Sequence, residues 1–127
     1  MFGEKGRGGP DRIGFFLIPN FSMIAFSAAV EPLRIANRMA GADLYSWWLV
    51  SREGDPVQAS NGIWVTTDVA LTEPGIADRR FFSSVILCSG IGAEHYQSRE
   101  VFAWLRRLDR QGIDVGALCT GAQVLAR

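Results

Sequence analysis

The sequence predicts a three-layer α/β domain, a mostly parallel β-sheet flanked by helices on both faces. Three observations carry that expectation. Short continuous apolar runs end at turn residues, as strands buried on both faces do. Between them, apolar residues recur at helical spacing. The two patterns alternate along the chain, and strand–helix–strand succession needs crossovers that lay helices over the sheet.

The first run is Ile13 to Ile18, closed by Pro19-Asn20. Ser22 then caps a helix, in which Met23, Phe26, Val30 and Leu33 share one face. Pro32 falls inside this pattern. It removes a backbone donor and crowds the preceding turn, so a kink or restart is expected near Glu31. Gly41 ends the helix. Tyr45 to Ser51 is aromatic and β-branched, hence a second strand, and Gly54-Asp55-Pro56 is a turn. Val57 to Ala59 and Ile63 to Thr66 form a short extended pair around the turn Ser60-Asn61-Gly62. Leu71 to Arg80 is a polar connection. Ser84 to Cys88 is another buried strand, left through Ser89-Gly90-Ile91-Gly92. The next helix starts at Gln97 or Ser98, turns Val101, Trp104, Leu105 and Leu108 inward, and stops at Gly112. Ile113 to Leu118 is the last strand. Cys119-Thr120-Gly121-Ala122 leads into a final helix from Gln123.

Composition narrows the function classes. A chain of 127 residues suits one domain. Hydrophobic residues make up 48% and charged residues 20%, enough apolar material for one core. Thirteen basic residues balance thirteen acidic ones. A net charge of zero gives no electrostatic reason to attract nucleic acid or an anionic membrane surface. No apolar run approaches the length of a membrane span. Residues 1–11 read as a flexible leader, polar and Gly-rich, without the apolar middle of a secretory signal. Cys88 and Cys119 make no disulfide framework. Both are expected to be free thiols in a reducing, cytoplasmic setting.

In open parallel sheets, ligands bind at the carboxyl ends of the strands. Asn20-Phe21-Ser22, Ser89-Gly90-Ile91-Gly92 and Cys119-Thr120-Gly121 all leave strands there. The stretch Gly116 to Ala122 has the form of a nucleophile elbow, in which a sharp strand-to-helix turn forces one side chain outward between small neighbours. A helix starting beyond Cys119 aims free N–H groups at the thiol and favours thiolate. The alternative is a buried Cys that packs as a small hydrophobe. His95 reads as a solvated loop residue. Glu31 reads either as a pocket carboxylate for a cationic ligand or as a surface charge. Trp47 and Trp48 are neighbours on a strand and point to opposite faces, and Trp104 fits the core face of its helix. Arg106, Arg107 and Arg110 form a solvated helix face, with a contact to a second copy or a neighbouring domain as the alternative.

At these residues the chain resembles a known family. Ile13 to Met23 (Ile-Gly-Phe-Phe-Leu-Ile-Pro-Asn-Phe-Ser-Met) and Glu31 to Asn37 (Glu-Pro-Leu-Arg-Ile-Ala-Asn) look like the opening of the GlxA-type branch of AraC-family regulators. Ala59-Ser60-Asn61-Gly62, Ile86-Leu87-Cys88-Ser89-Gly90 and Leu118-Cys119-Thr120-Gly121-Ala122 follow in the family's order. The resemblance covers residues 12–127. It implies a PfpI-like domain of the flavodoxin-like, class I glutamine-amidotransferase-like fold, incomplete in this chain. It also implies a small-molecule effector such as a quaternary amine or amino-acid derivative, and no cofactor or metal. DNA would be bound only through a C-terminal helix-turn-helix pair absent from this chain. Without the remaining strands and helices, an uncovered sheet edge and poor solubility are expected.

The carry-over is partial. Cys119 matches the family's reactive Cys, and Gly90 its backbone oxyanion donor. Ile91 and Thr120 fall beside them as expected ligand contacts. The family's helper carboxylate would sit at Ala25, which cannot polarise a thiol, and Thr120 stands where some members carry His. Cysteine catalysis needs a base within reach, and none is evident. The expectation is therefore a small-molecule sensor with no catalytic residues. The alternative is a cysteine-dependent PfpI-class enzyme, an amidase, hydratase or glyoxalase-like protein.

Overall fold

The computed structural model describes residues 9–90, 92 and 96–118. The expectations for the start of the leader, for Ile91, His95, Cys119 and Thr120, and for the final helix lie outside the described residues.

Strand β1 (Asp11–Leu17) is the centre of a five-stranded sheet in which every pairing is parallel. Its odd residues Ile13, Phe15 and Leu17 pack toward helix α1, and its even residue Phe16 packs toward helix α2. Both faces are buried, which is why the run reads as continuously apolar rather than alternating. Gly14 makes room for an aromatic ring, since a Cβ there would lie 2.9 Å from the ring of Phe82.

Helix α1 (Met23–Ala40) begins at Ser22, whose hydroxyl accepts from the Ala25 N–H at 3.3 Å. Phe26, Val30 and Leu33 lie against the sheet, with the Phe26 ring edge-on to Phe15 and Phe21. Of the kink or restart expected near Glu31, the restart does not occur, because α1 runs unbroken through Pro32. Proline at this position leaves the Ala28 carbonyl without its helical donor. The apolar face on either side keeps its contact with the sheet, and packing of that face supplies most of a helix's stability. Gly41 closes the helix in the left-handed region at φ 65°, its N–H donating to the Arg38 carbonyl. The Asn37 amide then grips the next strand, donating to the Tyr45 carbonyl at 2.9 Å and accepting from its N–H at 3.0 Å.

Strand β2 (Tyr45–Ser51) pairs with β1 in the register Phe15 to Leu49, and Trp47 and Trp48 join opposite layers. Strands β3 (Val57–Gln58) and β4 (Trp64–Val65) form the expected short antiparallel pair. Strand β5 (Val69–Ala70), which extends the sheet beside β2, was not anticipated. Two residues are too few to show a period. Strand β6 (Ser84–Cys88) flanks β1 on the other side and leads through helix α2 (Arg99–Arg110) to the edge strand β7 (Asp114–Leu118). Val101, Trp104 and Leu108 are the buried face of α2, and Arg106, Arg107 and Arg110 are exposed. Trp104 is fully buried, and its indole N–H donates to the Ile76 carbonyl at 3.3 Å.

The strand order is β5-β2-β1-β6-β7. The chain leaves β1 through α1 toward β2, and leaves β6 through α2 in the opposite direction, with the two helices on opposite faces. The topological switch point therefore lies between β1 and β6.

Pro32→Ala restores the missing donor inside α1. We expect a gain of about 2 kcal/mol, from roughly 3 kcal/mol of helix penalty less the unfolded-chain entropy that proline removes. A denaturant midpoint that does not rise would show that the helix has fully absorbed the proline.

Candidate functional site

The switch point is closed by backbone. The Ile18 N–H donates to the Cys88 carbonyl at 3.0 Å, and the Ser22 N–H donates to the Ser89 carbonyl at 3.1 Å. Asn20 takes φ 70°, a conformation its short polar side chain tolerates. Its N–H reaches the Gln58 carbonyl at 2.8 Å, while Ser60 donates to the Phe21 carbonyl at 2.9 Å. The loop between β1 and α1 is thus fixed by β6 on one side and by the β3–β4 excursion on the other.

Gly90 is the point of closest approach. A Cβ built on it would fall inside contact distance of the Asn20 carbonyl oxygen and 3.2 Å from the Ser22 nitrogen. Only a residue without a side chain fits. The buried Ser89 hydroxyl donates to the Leu118 carbonyl at 3.3 Å, so the end of β6 also holds the end of β7. Cys119 follows Leu118 in the chain and lies, with Thr120 and Ile91, outside the described residues.

The remaining candidate, Glu31, is not brought to this corner. It stands nine residues after the Ser22 cap, roughly 13 Å along the helix axis at 1.5 Å per residue. Its carboxylate is exposed and bound to Arg34 at 2.6 Å. The hydrogen bond from Arg34 holds its pKa below the ordinary carboxylate value. Ala25 is one turn into α1, and its methyl has no ionisable group to exchange a proton with a thiol.

A cleft of about 310 Å³ opens next to the corner, between the ends of β1 and β2. Its walls include Phe16, Pro19, Pro56 and Tyr96, and its rim carries Arg52, Glu53 and Asp55. Burial pushes the Tyr96 phenol above its ordinary value, against smaller opposing effects of Arg52 and Ser98. Arg52 reaches across to Glu100 in the first turn of α2 at 2.8 Å. The sequence reading missed all four rim and roof residues, Arg52, Glu53, Asp55 and Tyr96. Gly54-Asp55-Pro56 signalled only a turn, and Tyr96 belongs to a different loop. The one available signal, for Arg52, Glu53 and Asp55 alone, was their place directly after a parallel strand. A wider groove of about 400 Å³ lies between Glu73–Asp78 and the C-terminal end of α2. It is at the amino end of the sheet, away from where such folds hold ligands. Among the described residues no group of His, Cys, Asp and Glu is arranged to hold a metal ion, and no helix is long and apolar enough to cross a membrane.

No family model matches the chain. The HTH-type transcriptional regulator GbdR of Pseudomonas aeruginosa is 41% identical over 118 residues, covering 93% of this chain and 31% of GbdR. The regulator CdhR of the same organism is 43% identical over 112 residues, 88% of this chain and 32% of CdhR. GlxA of Rhizobium meliloti is 35% identical over 120 residues, 91% of this chain and 34% of GlxA. Over the matched residues this chain is a homologue of the HTH-type transcriptional regulators GbdR, CdhR and GlxA. It spans about a third of the length of the curated relatives it matches.

Solved structures give the regulator homologue its fold. An AraC-family transcriptional regulator from Pseudomonas putida superposes with a TM-score of 0.74 at 23% identity, over 85% of this chain and 64% of that one. A ThiJ/PfpI family protein from Pseudomonas syringae superposes with a TM-score of 0.64 at 18% identity, over 90% of this chain and 44% of that one. The expected flavodoxin-like, PfpI-like architecture is therefore the one observed.

Gly90→Ala should cost at least about 1–3 kcal/mol, the range for forcing atoms into a filled space. Gly116→Ala is the control, since nothing lies within 4 Å of a Cβ there. It should stay within about 0.5 kcal/mol of wild type. Equal denaturant midpoints for the two variants would contradict the close approach.

Tyr96 gives a pH test. A raised folded pKa means that the stability from its neutral phenol is complete below the ordinary value of 10.0 and is lost as pH climbs through the folded value. Tyrosinate absorbance should show a late phase above pH 10.0 that Tyr96→Phe removes. A late phase that survives the substitution would assign it elsewhere.

Proposed function

We propose that this chain is the small-molecule-sensing part of a transcriptional regulator. It binds a metabolite at the strand ends and passes that state to a DNA-binding region outside these residues. The supporting observation is the 41% identity to GbdR over 93% of the chain. The strand-end cleft supplies a place for the ligand.

Quaternary amines and amino-acid derivatives are the effector class, following the family resemblance. Gly90, Ile91, Cys119 and Thr120 are the proposed contacts at the corner. Glu31, exposed on α1 and paired with Arg34, lies away from that corner and is not among these contacts. The domain binds and does not turn over its ligand, in keeping with alanine at position 25. The site of action is the cytoplasm, and a homodimer contact through the arginine face of α2 is part of the reading.

Isothermal titration of the intact protein against small quaternary amines and amino-acid derivatives tests this. We expect saturable heat for at least one of them and unchanged ligand by proton NMR afterward. Turnover of a candidate, abolished in Cys119→Ser, would replace sensing with cysteine catalysis.

A further inference from the structure

The outward face of α1 is apolar where a surface helix is ordinarily polar. Ile24 is 82% exposed, Ile35 45% and Met39 83%. With the exposed Ala28 and Pro32 they fall within roughly 80° of arc at about 100° per residue. Phe26, Val30 and Leu33, which pack on the sheet, lie on the opposite side of the helix. Single exposed apolar side chains need no explanation, but a contiguous stripe marks a contact.

A second apolar patch stands at the Ile24 end of the stripe, on the β3–β4 hairpin. Ile63 and Trp64 are the other exposed large hydrophobic side chains among the described residues. Val57 and Val65 of that hairpin pack in the same layer as α1. The Asn20 N–H on the Gln58 carbonyl and the Ser60 N–H on the Phe21 carbonyl tie the hairpin to the start of the helix. The exposed large apolar side chains described here therefore all stand on the α1 side of the sheet. A further helix of the same layer would lie beside α1, against the sheet, and would leave the outward stripe open.

We propose that this stripe is a two-fold interface with a second copy of this chain, in which two α1 helices pair antiparallel and Ile24 of one protomer meets the partner's Met39. Positions 24, 28, 35 and 39 are spaced symmetrically about the Glu31–Pro32 peptide, so an antiparallel copy matches the stripe to itself. A partner of different sequence would give no reason for that symmetry. Ala28 lies across from the partner's Ile35, a small residue receiving a large one. The margin beyond Pro32 carries Ala25, Ala29 and Ala36, and small side chains let two helices approach closely. On the other margin the two Glu31–Arg34 pairs lie side by side, each neutral as a pair. A stripe about 27 Å long and one helix wide covers less than the roughly 800 Å² per partner of a stable interface. The hairpin pair Ile63 and Trp64, at the end that the partner's Met39 approaches, extends the contact. This surface is distinct from the arginine face of α2, where arginines would meet arginines. The contact needs no bound ligand and so goes beyond the sensing reading.

Sedimentation velocity of the intact protein over a range of concentrations is the test. Wild type should pass from monomer to dimer as concentration rises. I24K/M39K should weaken the dimer at least about tenfold, because pairing would bury lysine charges among apolar side chains. Both positions are exposed in the single protomer, so the thermal midpoint of this variant, taken where wild type is also monomeric, should match wild type. R107A/R110A, on the α2 face, should dimerise as wild type does. Oxidation of I24C/M39C should give a covalent dimer. I24C alone should not, since its two copies would stand roughly 22 Å apart along the paired helices, beyond the reach of a disulfide. The single variant also reports any cross-linking through the native cysteines. Three results would each overturn the assignment: a wild type that stays monomeric throughout, an I24K/M39K dimer as tight as wild type, or cross-linking by I24C alone that matches the double variant.

Discussion

Two backbones meet at Gly90 without a side chain between them, and the carboxyl end of the sheet is organised around that contact. The loop from Asn20 to Ser22 lies directly against it, and the Ser22 N–H on the Ser89 carbonyl fixes the angle at which α1 leaves the sheet. Ser22 in turn caps α1, so the helix starts where the strand contact places it. Ser89 extends the same junction to β7 through the Leu118 carbonyl. Three strands and a helix are registered at one point, and the mouth of the neighbouring cleft inherits its shape from them.

Much of the fold was legible because local and global preferences agree. Every long element carries its own caps and its own period. Ser22, Gly41 and Ser98 mark helix ends by chemistry that needs no partner elsewhere. What stayed hidden depends on partners distant in sequence. Strand β5 exists because β2 offers it an edge, not because Val69-Ala70 has a pattern. Pro32 looked like a break because its penalty is local, while the packing that overrides it comes from the sheet. The need for glycine at position 90 was readable as a turn, but the true reason is the Asn20 carbonyl, which no local spacing reveals. The part of the corner made by Asn20 and Gly90 was foreseen in outline, while Cys119 lies outside the described residues. The cleft beside it was not, since Arg52, Glu53, Asp55 and Tyr96 come from two loops that only folding brings together.

Electrostatics contributes placement more than stability. Glu31–Arg34 and Asp78–Arg80 are exposed pairs within single segments, and pairs of that kind add little to the folded state. Arg52–Glu100 is different in kind, because it joins the end of β2 to the start of α2. Its energetic worth is small by the same reasoning. Its effect is to tie the loop after β2 to the start of α2 beside the cleft. The core itself is carried by packed apolar layers on either side of β1, with Trp104 the largest fully buried side chain.

The grip of Asn37 on Tyr45 has a consequence for how this domain tolerates change. Both hydrogen bonds of that amide bypass the segment between Gly41 and Leu44, tying helix to strand without using it. Added residues in the bypassed stretch would lengthen a loop whose ends are already held, and closure entropy grows only slowly with length. The connection after α1 is therefore a natural place for insertions to accumulate among relatives, whereas the connection before α1, pinned at Gly90, admits none.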